Sequence, residues 1–271
     1  MIEKKILITL IIIIIIFSLV IFIYHSTNSL TVKHYTIPVK NLPPHFEGFT
    51  ILHLSDLHNK RFGKNQARLL ALIKEQEFDV TALTGDLLDS RNPDIEPIRE
   101  LLTGLKESDI YYVFGNHDHR LGDDILKLLL KDYGVNILEN EATRFRKDNE
   151  HIWLLGVEDP SLGLARLDIA LAEVNDNAPK ILLAHAPNIF PPAVKDNIDL
   201  ILVGHTHGGQ IRAPFLGALY VPGQGFAPEY DYGKFSSANT TMIVNAGLGE
   251  SVIPLRFNMR PEIVLVTLVA Q

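Results

Sequence analysis

Phe49-Thr50-Ile51-Leu52-His53-Leu54-Ser55-Asp56-Leu57-His58 is a short apolar run that ends in a carboxylate and an imidazole two residues apart. The run reads as a buried strand, with Asp56 and His58 just past its carboxyl end. The pattern recurs along the chain. Val80 to Leu83 leads into Gly85-Asp86, and Ile110 to Phe114 into Gly115-Asn116-His117-Asp118. Ile181 to Ala184 leads into His185, and Leu200 to Val203 into Gly204-His205-Thr206-His207. Helical periodicity fits the intervals, with Leu69, Leu72 and Ile73 on one predicted face and Ile125, Leu128 and Leu129 on another. Strand–helix alternation predicts an α/β fold with helices on the faces of its sheet, and bound groups collect at the carboxyl ends of such strands.

These motifs supply three carboxylates, one carboxamide and five imidazoles, all of them oxygen or nitrogen donors. That set suits two divalent ions held side by side, the arrangement that hydrolyses phosphate esters. Such a site shares a hydroxide between its ions for in-line attack on phosphorus, and one carboxylate bridges them. Asp86, set after a strand and a turn-forming glycine, is the candidate bridge. Asp56 and His58 share a face if the chain is extended there, while His205 and His207 reach either one ion or two. Asn116 offers a neutral oxygen. His117 is expected to point at substrate, stabilising phosphoryl oxygens or protonating the leaving group, with Asp118 orienting its ring. His119 reads either as a substrate contact or as an exposed loop residue. His53 lies inside a strand and reads as structural, and His25, His34, His45 and His151 receive no role. Arg212 and Arg256 read as phosphate or headgroup contacts, or as surface salt bridges, and the stretch from Arg212 to Lys234 as part of the substrate pocket wall.

The motif series closely resembles the calcineurin-like metallophosphoesterase superfamily, from about Phe49 to the end of the chain. Gly204-His205-Thr206-His207-Gly208-Gly209-Gln210, Gly247-Leu248-Gly249, Pro254-Leu255-Arg256-Phe257 and Pro261-Glu262-Ile263 resemble its bacterial branch of membrane-anchored or exported phosphohydrolases. The resemblance implies a four-layer αββα sandwich of two mixed sheets flanked by helices. It implies one ion on Asp56, His58, Asp86 and His207, and a second on Asp86, Asn116, His185 and His205. Mn²⁺, Fe²⁺ and Zn²⁺ all accept these donors. A narrower reading is hydrolysis of UDP-2,3-diacylglucosamine in lipid A synthesis, and a reading of another class is a non-catalytic metal-binding scaffold on the same fold.

The 271 residues hold 19 uncharged ones from Ile6 to Tyr24, long enough to span a bilayer as a helix. The run ends in Tyr24-His25-Ser26-Thr27-Asn28-Ser29, a poor cleavage sequence, so an uncleaved anchor is expected. The division read from the sequence is a basic N-terminus (1–5), a transmembrane anchor (6–24), a linker leading into an edge segment (25–45) and a catalytic domain (46–271). Lys4 and Lys5 lie closer to the span than Lys33 and Lys40, which places the N-terminus inside and the domain outside the cytoplasm. A net charge of −7 without a Lys/Arg-rich run argues against nucleic acid as a partner. The absence of cysteine excludes disulfides, thiolate metal sites and cysteine nucleophiles.

Overall fold

The computed structural model describes residues 2–221, 224–226, 228–251 and 253–271. It opens with helix α1 (Ile2–Asn28), whose side chains are exposed along almost all its length. Strand β1 (Thr31–Val39) follows, then β2 (Thr50–Leu54), α2 (Ala67–Lys74), β3 (Val80–Leu83), α3 (Glu96–Leu105) and β4 (Asp109–Tyr112). Next come α4 (Asn116–Arg120), α5 (Asp123–Asp132), β5 (Asn136–Ile137), β6 (Glu141–Lys147) and β7 (Glu150–Gly156). The chain continues through α6 (Leu167–Leu171), β8 (Lys180–Leu183), α7 (Phe190–Lys195) and β9 (Leu200–Val203). Two short hairpins follow, β10 (Arg212–Ala213) with β11 (Gly217–Ala218), and β12 (Tyr220–Val221) with β13 (Gly225–Phe226). Strands β14 (Gly233–Ser237), β15 (Thr240–Val244) and β16 (Glu262–Ala270) complete the fold.

Two six-stranded mixed sheets form, in the orders β1-β16-β2-β3-β4-β5 and β14-β15-β9-β8-β7-β6. Side chains alternate between the faces of a strand. Ile51, Val80 and Ala82 therefore point at Leu154, Ile181, Leu183 and Leu202 of the other sheet, in a core between the two. On the opposite face Leu52, Leu54 and Leu83 pack under α2, α3 and α5, while Leu155, Leu182 and Ile201 pack under α6 and α7. The result is the four-layer αββα sandwich, with each layer assigned by the period-two pattern of its strands. In α5 the buried stripe is Leu126, Leu129 and Leu130, and Ile125 and Leu128 stay exposed. The expected face of that helix was thus rotated, because two i, i+3/i+4 patterns overlap in Ile125-Leu126-Lys127-Leu128-Leu129-Leu130.

The stretch 25–45 is not a free linker. Residues 31–39 form β1 and pair in parallel with β16 along their whole length. Pro38 fits because β1 is an edge strand, where a missing N–H breaks no inner ladder. Because β16 runs antiparallel to β2, α1 enters the sheet at the end where β2, β3 and β4 finish. The last turn of α1 is tied to the domain there. Lys60 donates to Thr27 O, Arg68 Nη2 to Asn28 O at 2.9 Å and Arg260 Nη2 to Leu30 O at 2.6 Å. The Phe22 and Phe257 rings meet edge to face at 5.1 Å.

Candidate metal centre

Asp56 and His58 follow β2, Asp86 follows β3, and Asn116 opens α4 after β4. His185 follows β8, and His205 and His207 follow β9, so strand ends of both sheets converge across the top of the sandwich. Five of the seven candidate ligands, Asp56, His58, Asp86, His205 and His207, hold φ between 45° and 69°. Left-handed backbone costs a residue with a side chain about 1–3 kcal/mol and persists only where the surroundings enforce it. Here Asp56 N bonds Gly85 O at 3.0 Å, His58 N bonds Asp86 O at 3.1 Å, and His205 N bonds Asp56 Oδ2 at 3.0 Å. Gly204 admits this crowding, since a Cβ there would overlap Ser55 Oγ and Asp56 Oδ2.

The converging atoms are acceptors. His185 Nδ1 faces Thr84 O at 2.7 Å and His207 Nδ1 faces Gly249 O at 3.2 Å, so each neutral ring carries its proton there and turns a bare Nε2 inward. His207 Nε2 lies 3.2 Å from His58 Nε2 and 3.5 Å from Asp56 Oδ1. His185 Nε2 lies 3.1 Å from His205 Nδ1 and 3.3 Å from Asp86 Oδ2. Asp86 Oδ2 also lies 3.5 Å from His58 Nε2, so this one oxygen faces both histidine groups. Ligand atoms about 2.1 Å from an ion sit about 3.0–3.4 Å apart, close to these separations. Asp56, His58 and His207 form one group able to hold a cation, and Asp56, Asp86 and His185 another. Asn116 Oδ1 is buried and has no hydrogen-bond partner. The donor set therefore fits divalent cations.

His117 joins this cluster, its ring edge to face with His58 at 4.7 Å. Its partner is not Asp118. Consecutive residues of a helix point about 100° apart, and Asp118 turns away from the ring. Asp118 Oδ2 accepts from Asp86 N and Tyr112 OH at 2.6 Å each and from Gly115 N at 2.9 Å, while Oδ1 accepts from Leu88 N at 3.2 Å. It pins the loops after β3 and β4. The ring of His117 instead meets Ser90 and Asp89: Ser90 N donates to Nδ1 at 3.2 Å, and Asp89 Oδ1 lies 3.5 Å from Nδ1. Asp89 is itself gripped by Arg91, through Nε at 2.9 Å and Nη2 at 2.6 Å. The sequence reading missed Asp89 and Ser90, although Asp89 stands three residues after Asp86 in the same loop.

Arg256 is neither a surface residue nor a phosphate contact. It is fully buried and donates to the carbonyls of Ala246 (2.8 Å), Gly247 (3.1 Å) and Gly249, with His207 O at 3.4 Å. Its own backbone N donates to Thr27 Oγ1 at 2.9 Å, so one residue links α1 to the His207 loop. Arg212 pairs with Asp231 at 2.7 Å and donates to Gly208 O. His119 pairs with Glu158 at 2.8 Å. His53 is structural, with Nε2 2.8 Å from Thr84 Oγ1.

Burial dominates the electrostatics. It lowers His58 to about 4 and His205 to about 3, and with help from His58 and Arg256 it lowers His207 well below the ordinary imidazole value. These rings are neutral bases at physiological pH. Burial would also lower His185, but Asp86 and Asp56 outweigh it and hold that ring well above the usual range. Burial pushes Asp56 up to about 6, with Asp86 adding to the push and His185 opposing it. Burial and Asp86 together push Asp118 up to about 7. For Asp86 itself the effect of burial is outweighed by His185, His58 and His117, which hold it well below the usual carboxylate range.

A sandwich of this kind, with buried carboxylates and neutral imidazoles converging at its strand ends, defines a metal-dependent phosphoric ester hydrolase. The chain belongs to the calcineurin-like phosphoesterase family, whose model matches residues 49–209. It is 32% identical to the uncharacterized metallophosphoesterase YkuE of Bacillus subtilis, over 90% of this chain and 87% of that protein. It is also 32% identical to the phosphodiesterase YaeI of Escherichia coli, over 82% of each. A Bos taurus transmembrane protein with metallophosphoesterase domain is 33% identical over 84% of this chain and 54% of that protein.

Proposed function

We propose that this chain is a membrane-anchored phosphoesterase that works with two divalent ions. The observation that carries the reading is Asp86 Oδ2, set 3.5 Å from His58 and 3.3 Å from His185, where a single carboxylate can bridge. Asp56, His58, Asp86 and His207 would hold one ion, and Asp86, Asn116, His185 and His205 the other. When bound, the two ions supply an activated water for in-line attack on phosphorus and a positive field for the developing charge. The protein residues around them have separate tasks. Gly249 O and Thr84 O fix the tautomers of His207 and His185. Ser90 N–H, by donating to Nδ1 of His117, leaves the proton of the neutral ring on Nε2, the atom free to protonate a leaving oxygen. Burial lowers this ring below the ordinary imidazole value, and Asp86 and Asp89, the latter facing the same Nδ1, oppose that lowering. Asp118 acts at one remove, by holding Asp86 and Leu88 in register.

Helix α1 is long and apolar enough to cross a membrane. The catalytic unit is then residues 46–271 with β1 added, facing outside the cytoplasm, a reading supported by Lys4 and Lys5 close before the span. A C-terminal topology reporter tests this side. An outside location excludes UDP-2,3-diacylglucosamine as substrate, because that pathway step is cytoplasmic.

The deciding experiment is hydrolysis of a chromogenic phosphodiester and a phosphomonoester by the full chain in detergent, supplied in turn with Mn²⁺, Fe²⁺ and Zn²⁺. Asp86→Asn should lower turnover at least 100-fold and reduce bound metal from two ions per chain. His117→Ala should lower turnover by about 10²–10⁴ with both ions retained. Full turnover in Asp86→Asn would sink the two-ion reading. Bound metal with no ester hydrolysed would favour the scaffold.

A further inference from the structure

Helix α1 is not alone in exposing large apolar side chains at its end of the molecule. The two hairpins after the His207 loop expose Phe215, Leu216, Tyr220 and Phe226, and Phe215 and Phe226 are 107% and 81% exposed. Large exposed apolar groups gathered on two successive hairpins mark an interaction surface. Their position says what covers them. Arg212, at the base of the first hairpin, lines a cavity together with Phe22, His25 and Ser26 of α1. Arg212 N donates to Phe257 O at 3.0 Å, and the ring of Phe257 packs on that of Phe22, inside the apolar span. The first hairpin therefore springs from the molecule beside α1, at the level where the apolar span meets the domain, and the second hairpin follows it directly in the chain.

Polar groups at this level match a bilayer surface. Lys33, Arg212 and Arg260 line the same cavity, Arg212 with Asp231 as its partner, so cationic side chains stand beside α1 at the base of the first hairpin. Exposed aromatic side chains with cationic side chains beside them are the arrangement of segments that lie at the headgroup boundary. Resting on the reading of α1 as a membrane anchor, we propose that hairpins β10–β11 and β12–β13 are a second membrane contact, inserted into the bilayer beside α1. Two contacts fix the tilt of the domain, where a single helix would leave it free to pivot. Because α1 enters at the strand ends that carry the candidate ligands, the metal centre then faces the headgroup layer.

The chain has no cysteine, so single cysteines can be placed and labelled one at a time. The full chain is reconstituted into vesicles of phosphatidylethanolamine and phosphatidylglycerol with an environment-sensitive dye at Phe215→Cys, Leu216→Cys or Phe226→Cys. Ile14→Cys reports the span. Asp148→Cys reports the far end, since Asp148 lies near His45, beyond the other end of β1. Nitroxide-bearing lipids serve as quenchers. The expected result is quenching at least threefold stronger at residues 215, 216 and 226 than at 148, with a blue-shifted emission. Hairpin labels that behave like 148 while the Ile14 label is quenched overturn the second contact and leave the anchor standing. An unquenched Ile14 label overturns the anchor, and the hairpin contact with it. A blue shift without nitroxide quenching assigns the hairpins to a protein surface, such as a second copy of this chain, and overturns the bilayer.

Discussion

Replacing Arg256 with methionine tests whether one buried side chain holds the His207 loop. The substitution keeps an unbranched apolar stem and removes the guanidinium, which bonds the carbonyls of Ala246, Gly247 and Gly249 and sits 3.4 Å from His207 O. Each hydrogen bond to a charged donor contributes about 1.5–3 kcal/mol, but taking the guanidinium out of water costs several kcal/mol in return. The net loss on deleting one partner of such a buried charged network is about 3–5 kcal/mol. With a urea m-value of about 2–3 kcal/mol/M, the unfolding midpoint should fall by about 1–2 M. Trp153, 4% exposed in the core of the second sheet, reports that transition by fluorescence. Ion binding should weaken as well. Gly249 O accepts from Nδ1 of His207, and loss of such outer contacts typically costs about 10–100-fold in metal affinity. Arg256→Lys should fall between, since an ammonium cannot reach three carbonyls in a fixed fork. A midpoint and an Mn²⁺ affinity both unchanged in Arg256→Met would refute the reasoning.

The roles of the two aspartates around His117 separate kinetically. Asp89→Asn should lower kcat about 10–100-fold with little change in metal affinity. Asp118→Asn, which turns an amide toward several N–H donors, should cost about 2–4 kcal/mol of stability and loosen metal binding; if Asp118→Asn alters only the pH profile of kcat, Asp118 is the partner of His117 after all. Protons compete with the ions in a direction set by the raised groups. His185 sits well above its ordinary pKa and Asp56 at about 6, so both must shed a proton before a cation binds. Metal affinity should therefore rise with pH through 6 and above, and titration calorimetry in buffers of different ionisation heat should find one to two protons released at pH 6 (about one for each group). His58 and His205, at about 4 and 3, are already neutral there and should contribute none. Gly204→Ala places a Cβ against Ser55 and Asp56, and loss of metal-dependent turnover in a folded protein, checked by circular dichroism, is the expected result.

The convergence of the candidate ligands was legible because each follows an apolar run short enough to be one strand, and strand ends gather in space whatever the loops do. Residues whose roles depend on non-local packing were not. Pro38 and the Pro43-Pro44 pair made the stretch 25–45 look like a linker, and nothing local shows that Thr31 pairs with Glu262. The pairing of His117 with its neighbour Asp118 failed because adjacency in sequence is separation on a helical turn. Asp89, three residues past Asp86, supplied the contact instead. Arg256 was misread because arginine is almost always a surface residue, and the carbonyls that hold it inside come from a loop whose shape no pattern announces.

Strand β16 lies between β1 and β2, with β1 parallel on one side and β2 antiparallel on the other. The first and last strands of the domain are thus neighbours in its first sheet. During synthesis, β1 emerges directly behind α1, and its partner is not made until residues 262–270 leave the ribosome. Until then β1 and β2 each present an unpaired edge. Closure of this sheet is a late, long-range event of the kind that folds slowly and leaves nascent chains open to aggregation.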